Sequence, residues 1–284
     1  MRIILIAIAA AAHLSAIGVR QLEIRLASGE AARVSLWYPS ASSGQPLRMS
    51  DYLHLEGHKG DLGETVASLI AEDASTVPAE MRAEALTTRF RALRDARPRA
   101  GRYPLVLWSM RIGTVSGQAY LSEALARAGF AVAVVDTSNV GRDDTSKRVA
   151  FLEQSIGELA KLPQIDAKRI AIIGWRSGVD AAVQLAARNP ATMLLIALAP
   201  DAAPKDVKLN VPIVWFDDRV PPETANADTH HIRLSGMKQS CFGTVEGWLA
   251  SRVGVKKAQG CARGYEHAAE IVVRHTLYYV RSGR

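Results

Sequence analysis

The sequence predicts an α/β protein with a mostly parallel sheet that is covered by helices on both faces. From residue 103 onward, short apolar runs with strand character alternate with longer amphipathic stretches, which is typical of parallel strands joined by helical crossovers. The length of 284 residues and the 48% hydrophobic content are sufficient for one large core. One domain over residues 17–284 is therefore expected.

The elements are predicted in chain order. Segments 21–26 and 32–38 alternate around Ser28-Gly29-Glu30 and predict an N-terminal hairpin. Residues 50–100, rich in Ala, Glu and Arg, predict a helical insertion over one end of the sheet, with a helix-like stretch at 79–95. Further strands are expected at 105–108, 131–135, 170–173, 193–198, 213–216 and 231–234, and helices at 116–128, 147–162, 179–188, 244–251 and 266–279.

The first sixteen residues are typical of an export signal. Met1-Arg2 supplies a positive start, an apolar stretch follows, and small residues offer cleavage between Ala12 and Ala16. The run is too short for a transmembrane span. A periplasmic or secreted location is expected, and a buried first strand is the alternative.

Charge and cysteine content narrow the functional classes. The net charge is +7, but the basic residues are dispersed along the chain, so no nucleic-acid partner is expected. A diffuse attraction to anionic surfaces is expected instead. Cys241 and Cys261 are an even pair, which an oxidising compartment would join in a disulfide. Two buried free thiols are the alternative.

The most informative motif lies at residues 169–180. A β-branched strand runs into a turn between Gly174 and Gly178, and an Ala-rich helix follows. This is the context of a nucleophile elbow, in which a G-x-S-x-G motif places serine midway between the glycines. Here Arg176 is midway and Ser177 is one position late.

The chain resembles the α/β-hydrolase superfamily, in particular exported bacterial proteins similar to dienelactone hydrolases and platelet-activating-factor acetylhydrolases. The resemblance spans nearly all of the mature chain. It rests on the elbow and on the G-V-R, W-Y-P and strand motifs at residues 18–20, 34–39, 103–109 and 128–136. It implies hydrolysis of esters, lactones or amides without a metal or organic cofactor. The machinery implied is a serine, a histidine, a carboxylate and oxyanion donors.

The matching positions depart from that machinery. Arg176 stands at the nucleophile position and cannot attack a carbonyl, because guanidinium stays protonated and only donates. Gln239 stands where the family has its histidine, and none of the seven histidines replaces it or shows metal-ligand spacing. Asp217 and Asp218 follow the strand that carries the acid. In the expected pocket, Met110 and Arg111 replace the H-G oxyanion turn beside Trp175 and Arg176.

The favoured hypothesis is therefore an exported α/β-hydrolase-fold protein that has lost ester hydrolysis. One alternative is an active serine ester or lactone hydrolase that uses Ser177. Another is a binding protein that uses the former pocket for a partner or for a small anion held by Arg176 and Arg111. The anion hypothesis competes with an ion pair between Arg176 and Asp217 or Asp218 that fills the cavity.

Overall fold

A nine-stranded sheet runs through the described part of this computed structural model, which comprises residues 16–110, 115–138, 140, 144–201, 209–217, 229–233 and 239–281. The strands are β1 (Ala16–Arg25), β2 (Ala31–Ser40), β3 (Ala92–Arg94), β4 (Tyr103–Ser109), β5 (Ala131–Val135), β6 (Ile165–Trp175), β7 (Thr192–Leu198), β8 (Ile213–Phe216) and β9 (Thr229–Ile232). Their spatial order is β3-β1-β2-β5-β4-β6-β7-β8-β9. Only β2 is antiparallel to its neighbours, so the predicted mostly parallel sheet is confirmed.

Helices cover both faces of the sheet. They are α1 (Met49–Leu55), α2 (Leu62–Ile70), α3 (Ala79–Thr87), α4 (Val115–Arg127), α5 (Thr145–Leu159), α6 (Val179–Arg188), α7 (Ala250–Arg252) and α8 (Cys261–Thr276), with π-helical turns at Thr244–Leu249 and Leu277–Arg281. The core has two layers because side chains alternate along each strand. Val106 and Trp108 of β4 pack with α4 and α8, whereas Leu105 and Leu107 pack with α5 and α6.

The N-terminal hairpin is confirmed and is longer than predicted. β1 and β2 pair continuously from Ala16 opposite Ser40 to Arg25 opposite Ala31. Ala16, the last residue of the predicted export segment, is the first residue of β1, and residues 1–15 lie outside the described part. A Cβ atom on Gly18 would overlap the Tyr38 ring, so a side chain at position 18 is excluded by packing.

The helix predicted over 79–95 is wrong in its second half. α3 ends at Thr87, and Ala92–Arg94 form β3, which pairs in parallel with β1 at the edge of the sheet. This pairing joins residues about 75 positions apart in the chain, and a local pattern does not reveal such a partner. The predicted insertion over 50–100 otherwise contains α1, α2 and α3.

The predicted disulfide between Cys241 and Cys261 is present. It joins the 3-10 turn Gln239–Phe242 to the first residue of α8, and both cysteines are buried. The disulfide thereby fixes the start of α8 beside the Gln239–Phe242 turn. In the part of the chain that the structure describes, no helix is long and apolar enough to cross a membrane.

Candidate active site at the elbow

The turn between β6 and α6 has the backbone of an elbow with an arginine at its apex. Arg176 has φ +51°, a left-handed conformation that costs a non-glycine residue about 1–2 kcal/mol. A Cβ atom on Gly174 would lie 2.7 Å from Val179 Cα, and one on Gly178 would lie 2.7 Å from Met110 Cα. Both glycines are thus required by close packing of the backbone around them.

The side chain of Arg176 points to solvent beside a carboxylate that sequence reasoning missed. Its Nε lies 3.6 Å from Asp201 Oδ1, and the two side chains are 49% and 41% exposed. The guanidinium carbon also lies 6.0 Å from the centre of the Trp175 ring. An exposed ion pair of this length contributes at most about 1 kcal/mol. The terminal guanidinium nitrogens have no ion-pair partner among the described residues.

The sequence predicted that Arg176 pairs with Asp217 or Asp218; within the described residues Arg176 pairs with Asp201, and no ion pair joins it to Asp217. Asp217 is buried at the end of β8, and its carbonyl accepts from His231 Nε2 at 3.3 Å. Asp201, which lies beside the guanidinium, follows β7, and the chain leaves that strand through Ala199, which has φ +44°. Asp218 and Arg111 lie outside the described residues, so neither their pairing nor the expected convergence of two guanidiniums is described.

The oxyanion side of the site is held against the elbow. Ser109 Oγ donates to the Gly178 carbonyl at 2.9 Å, and Thr137 Oγ1 donates to the Met110 carbonyl at 3.1 Å. Met110 is 3% exposed, so its side chain belongs to the core. The end of β4 and the first turn after β6 therefore form one rigid unit.

Among the described residues, Ser177 has no hydrogen-bonded base of the kind that a nucleophile needs. An activated serine is hydrogen-bonded to a base, which is oriented by a third group. Within the described residues the Ser177 hydroxyl has no hydrogen bond, and no described histidine is bonded to it. The backbone of Gln239 opens the 3-10 turn Gln239–Phe242.

A cavity of about 770 Å³ opens beside Arg176. Its walls come largely from α2, the start of α3 and the segment after α7, so the predicted insertion builds one side of the site. The apolar part of the wall includes Leu69, Ile70, Val77, Met81 and Val255. The complete lining consists of residues 68–73, 76–78, 81, 176, 246 and 254–258.

Glu246 is a charged group at this cavity that sequence reasoning missed. Partial desolvation by the surrounding protein raises the pKa of the Glu246 carboxyl, and the positive charge of Arg176 lowers it. Even so, no guanidinium nitrogen of Arg176 lies within 4.0 Å of a Glu246 carboxylate oxygen, and Glu246 has no ion pair with any described residue. A carboxylate between Val245 and Trp248 in a π-helical turn carries no recognisable sequence signal.

The described residues hold no cluster of three or more His, Cys, Asp or Glu side chains that could bind a metal ion. The charged groups on the cavity include Arg176 and Glu246, which do not form an ion pair with each other. This arrangement can form hydrogen bonds and ion pairs with a ligand.

Comparisons with known proteins identify the fold. A scan against protein-family models found no match, and a search of the curated proteins found none. Among solved structures, the chain is similar to a ferulic acid esterase from Streptomyces cinnamoneus, with a TM-score of 0.71 and 19% identity over 95% of this chain and 91% of that one. It is also similar to a putative dienelactone hydrolase from Klebsiella pneumoniae subsp. pneumoniae, with a TM-score of 0.52 and 14% identity over 90% and 98%.

A dienelactone hydrolase-like promiscuous phosphotriesterase from metagenomic libraries matches with a TM-score of 0.53 and 13% identity over 91% of this chain and 98% of that one. At these identities the likeness shows the fold. The protein has the α/β-hydrolase fold, with arginine at the apex of the elbow. The specific resemblance to platelet-activating-factor acetylhydrolases stays a prediction.

Proposed function

We propose that this protein is an exported α/β-hydrolase-fold protein that does not cleave esters and that binds a small organic carboxylate at the elbow. The observation that carries the proposal is the half-exposed guanidinium of Arg176 at the apex, beside a cavity of about 770 Å³. An ester hydrolase places its nucleophile at this position, next to the acyl carbon. A guanidinium there complements the charged carboxylate rather than the neutral ester.

The chemistry of the pocket supports a ligand with an apolar body. Leu69, Ile70, Val77 and Met81 provide an apolar wall, and Arg176 provides paired donors for a carboxylate. The ion pair with Asp201 does not compete strongly, because both side chains are exposed and the Nε–Oδ1 distance is 3.6 Å. A carboxylate ligand can therefore engage the terminal nitrogens of Arg176.

The loss of ester cleavage follows from the same residues. Arg176 cannot act as a nucleophile, and the Ser177 hydroxyl has no described hydrogen-bond partner that would remove its proton. Three neighbours of this fold are named as a ferulic acid esterase, a putative dienelactone hydrolase and a phosphotriesterase. These names support an origin among hydrolases of small esters, and so a carboxylate of product size as ligand.

The test is a pair of measurements on the same protein. A fluorophosphonate probe should not label Ser177, and isothermal titration with 3-phenylpropanoate should detect binding that Arg176→Ala weakens about ten- to hundred-fold, as expected for loss of a charge-assisted pair. Arg188→Ala is the matched control, because Arg188 is exposed in the last turn of α6 and does not line the cavity. Stoichiometric labelling of Ser177 would establish the active hydrolase instead.

Export is the second part of the proposal and is supported by the Cys241–Cys261 disulfide, since such bonds persist in oxidising compartments. Thiol titration of denatured, unreduced protein from the periplasm or medium should find no free thiol. Two free thiols per chain, or retention of the protein in the cytoplasm, would contradict export without affecting the carboxylate site.

A further inference from the structure

The cavity carries a positive and a negative side chain, Arg176 and Glu246, that do not form an ion pair with each other. Arg176 and Glu246 both line the cavity. They nevertheless form no ion pair within 4.0 Å. Neighbouring opposite charges that are held apart on an open cavity leave room for a ligand with both charges between them.

The position of Glu246 is defined by its surroundings. A Cβ atom on Gly243 would overlap Glu246 Oε2 and would lie 3.6 Å from Trp175 Cζ2. Gly243 has an ordinary extended backbone, with φ −106° and ψ 143°, so its conformation does not require glycine. The missing side chain at position 243 provides the space for the carboxylate beside Trp175, which also contacts the Arg176 guanidinium.

The other acidic side chains on the cavity, Glu72 and Asp73, have hydrogen-bond partners within the protein. Glu72 accepts from Lys257 Nζ at 2.6 Å, and Asp73 accepts from the backbone N–H and hydroxyl of Ser75. Glu246 has no such partner among the described residues, and it is exposed to solvent. It is therefore an acidic group at this cavity that is available to a ligand.

We infer that the ligand is a zwitterion, an amino acid with an apolar side chain, whose carboxylate pairs with Arg176 and whose ammonium group pairs with Glu246. This inference rests on the proposed carboxylate site and adds the second recognition group. The apolar side chain of such a ligand packs on Leu69, Val77 and Met81.

The test compares L-phenylalanine with 3-phenylpropanoate, which differ only in the amino group. In isothermal titrations at pH 7.5, the wild type should bind phenylalanine at least ten-fold more tightly. Glu246→Gln should remove this preference while it leaves binding of 3-phenylpropanoate unchanged. Glu72→Gln is the matched control, because Glu72 lines the same cavity but pairs with Lys257, and it should keep the preference.

Gly243→Ala provides a second variant, since its Cβ displaces the Glu246 carboxylate. It should also reduce the preference for phenylalanine over 3-phenylpropanoate. Thermal unfolding checks that Glu246→Gln and Gly243→Ala are both folded. Equal binding of the two ligands by the wild type overturns the inference and leaves the carboxylate site intact. Tighter binding of 3-phenylpropanoate, or of a dicarboxylate such as glutarate, also overturns it. If neither ligand binds, or if Arg176→Ala has no effect on either, the proposed function fails as well.

Discussion

Glu123 is a buried carboxyl that should make the stability of this protein depend on pH. It lies in α4 with 4% of its surface exposed. It accepts hydrogen bonds from the Tyr52 hydroxyl at 2.7 Å, from Arg91 N at 2.8 Å and from Ala92 N at 2.9 Å. These bonds favour the ionised carboxylate, but its desolvation outweighs them and raises its pKa from 4.5 to about 7.

The size and sign of the pH dependence follow from the difference between the folded-state and unfolded-state pKa values of Glu123. A folded-state pKa above the unfolded value contributes stability that is fully present below pH 4.5 and is lost as the pH rises through about 7. The span between the two values corresponds to about 3 kcal/mol. The free energy of unfolding of the wild type should therefore fall by this amount, relative to a variant without the titrating group, between pH 4.5 and pH 8.

Glu123→Gln is the appropriate variant, measured by urea denaturation from pH 4.5 to pH 8. The glutamine Oε1 can still accept from Tyr52 and Ala92, but its amide nitrogen would face Arg91 N–H, so a constant penalty is expected. The informative quantity is the difference in unfolding free energy between the two proteins. A difference that stays constant across this range would refute the argument that burial raises the Glu123 pKa.

The elbow supports two further predictions. Arg176→Ser should not hydrolyse p-nitrophenyl acetate above the wild-type rate, because triad members act as a unit and no described histidine contacts this turn; measurable turnover would reveal an unrecognised base. Gly178→Ala should lower the free energy of unfolding by about 1–3 kcal/mol, because its Cβ would lie 2.7 Å from the Met110 backbone. Gly157→Ala in α5, where the added Cβ meets nothing within 4 Å, should be neutral or stabilising in the same denaturation experiment, and equal effects of the two variants would contradict the packing explanation.

Local sequence patterns were sufficient for much of this fold. The bounds of β5, α6 and β8 match their predictions, because strand propensity and helical periodicity act within a few residues. The elbow was also recognisable, since close packing at Gly174 and Gly178 excludes any side chain there. The presence of Arg176 midway between these glycines is likewise evident from the sequence alone.

The acidic groups that share the site with Arg176 were decided only by the tertiary structure. Asp201 follows β7 and Glu246 lies in a π-helical turn about 70 residues after Arg176, and neither position carries a local signal. The edge strand β3 was missed for the same reason, because its pairing with β1 joins distant parts of the chain. Local propensity selects helices and strands, whereas the neighbours of a charged side chain depend on how those elements pack.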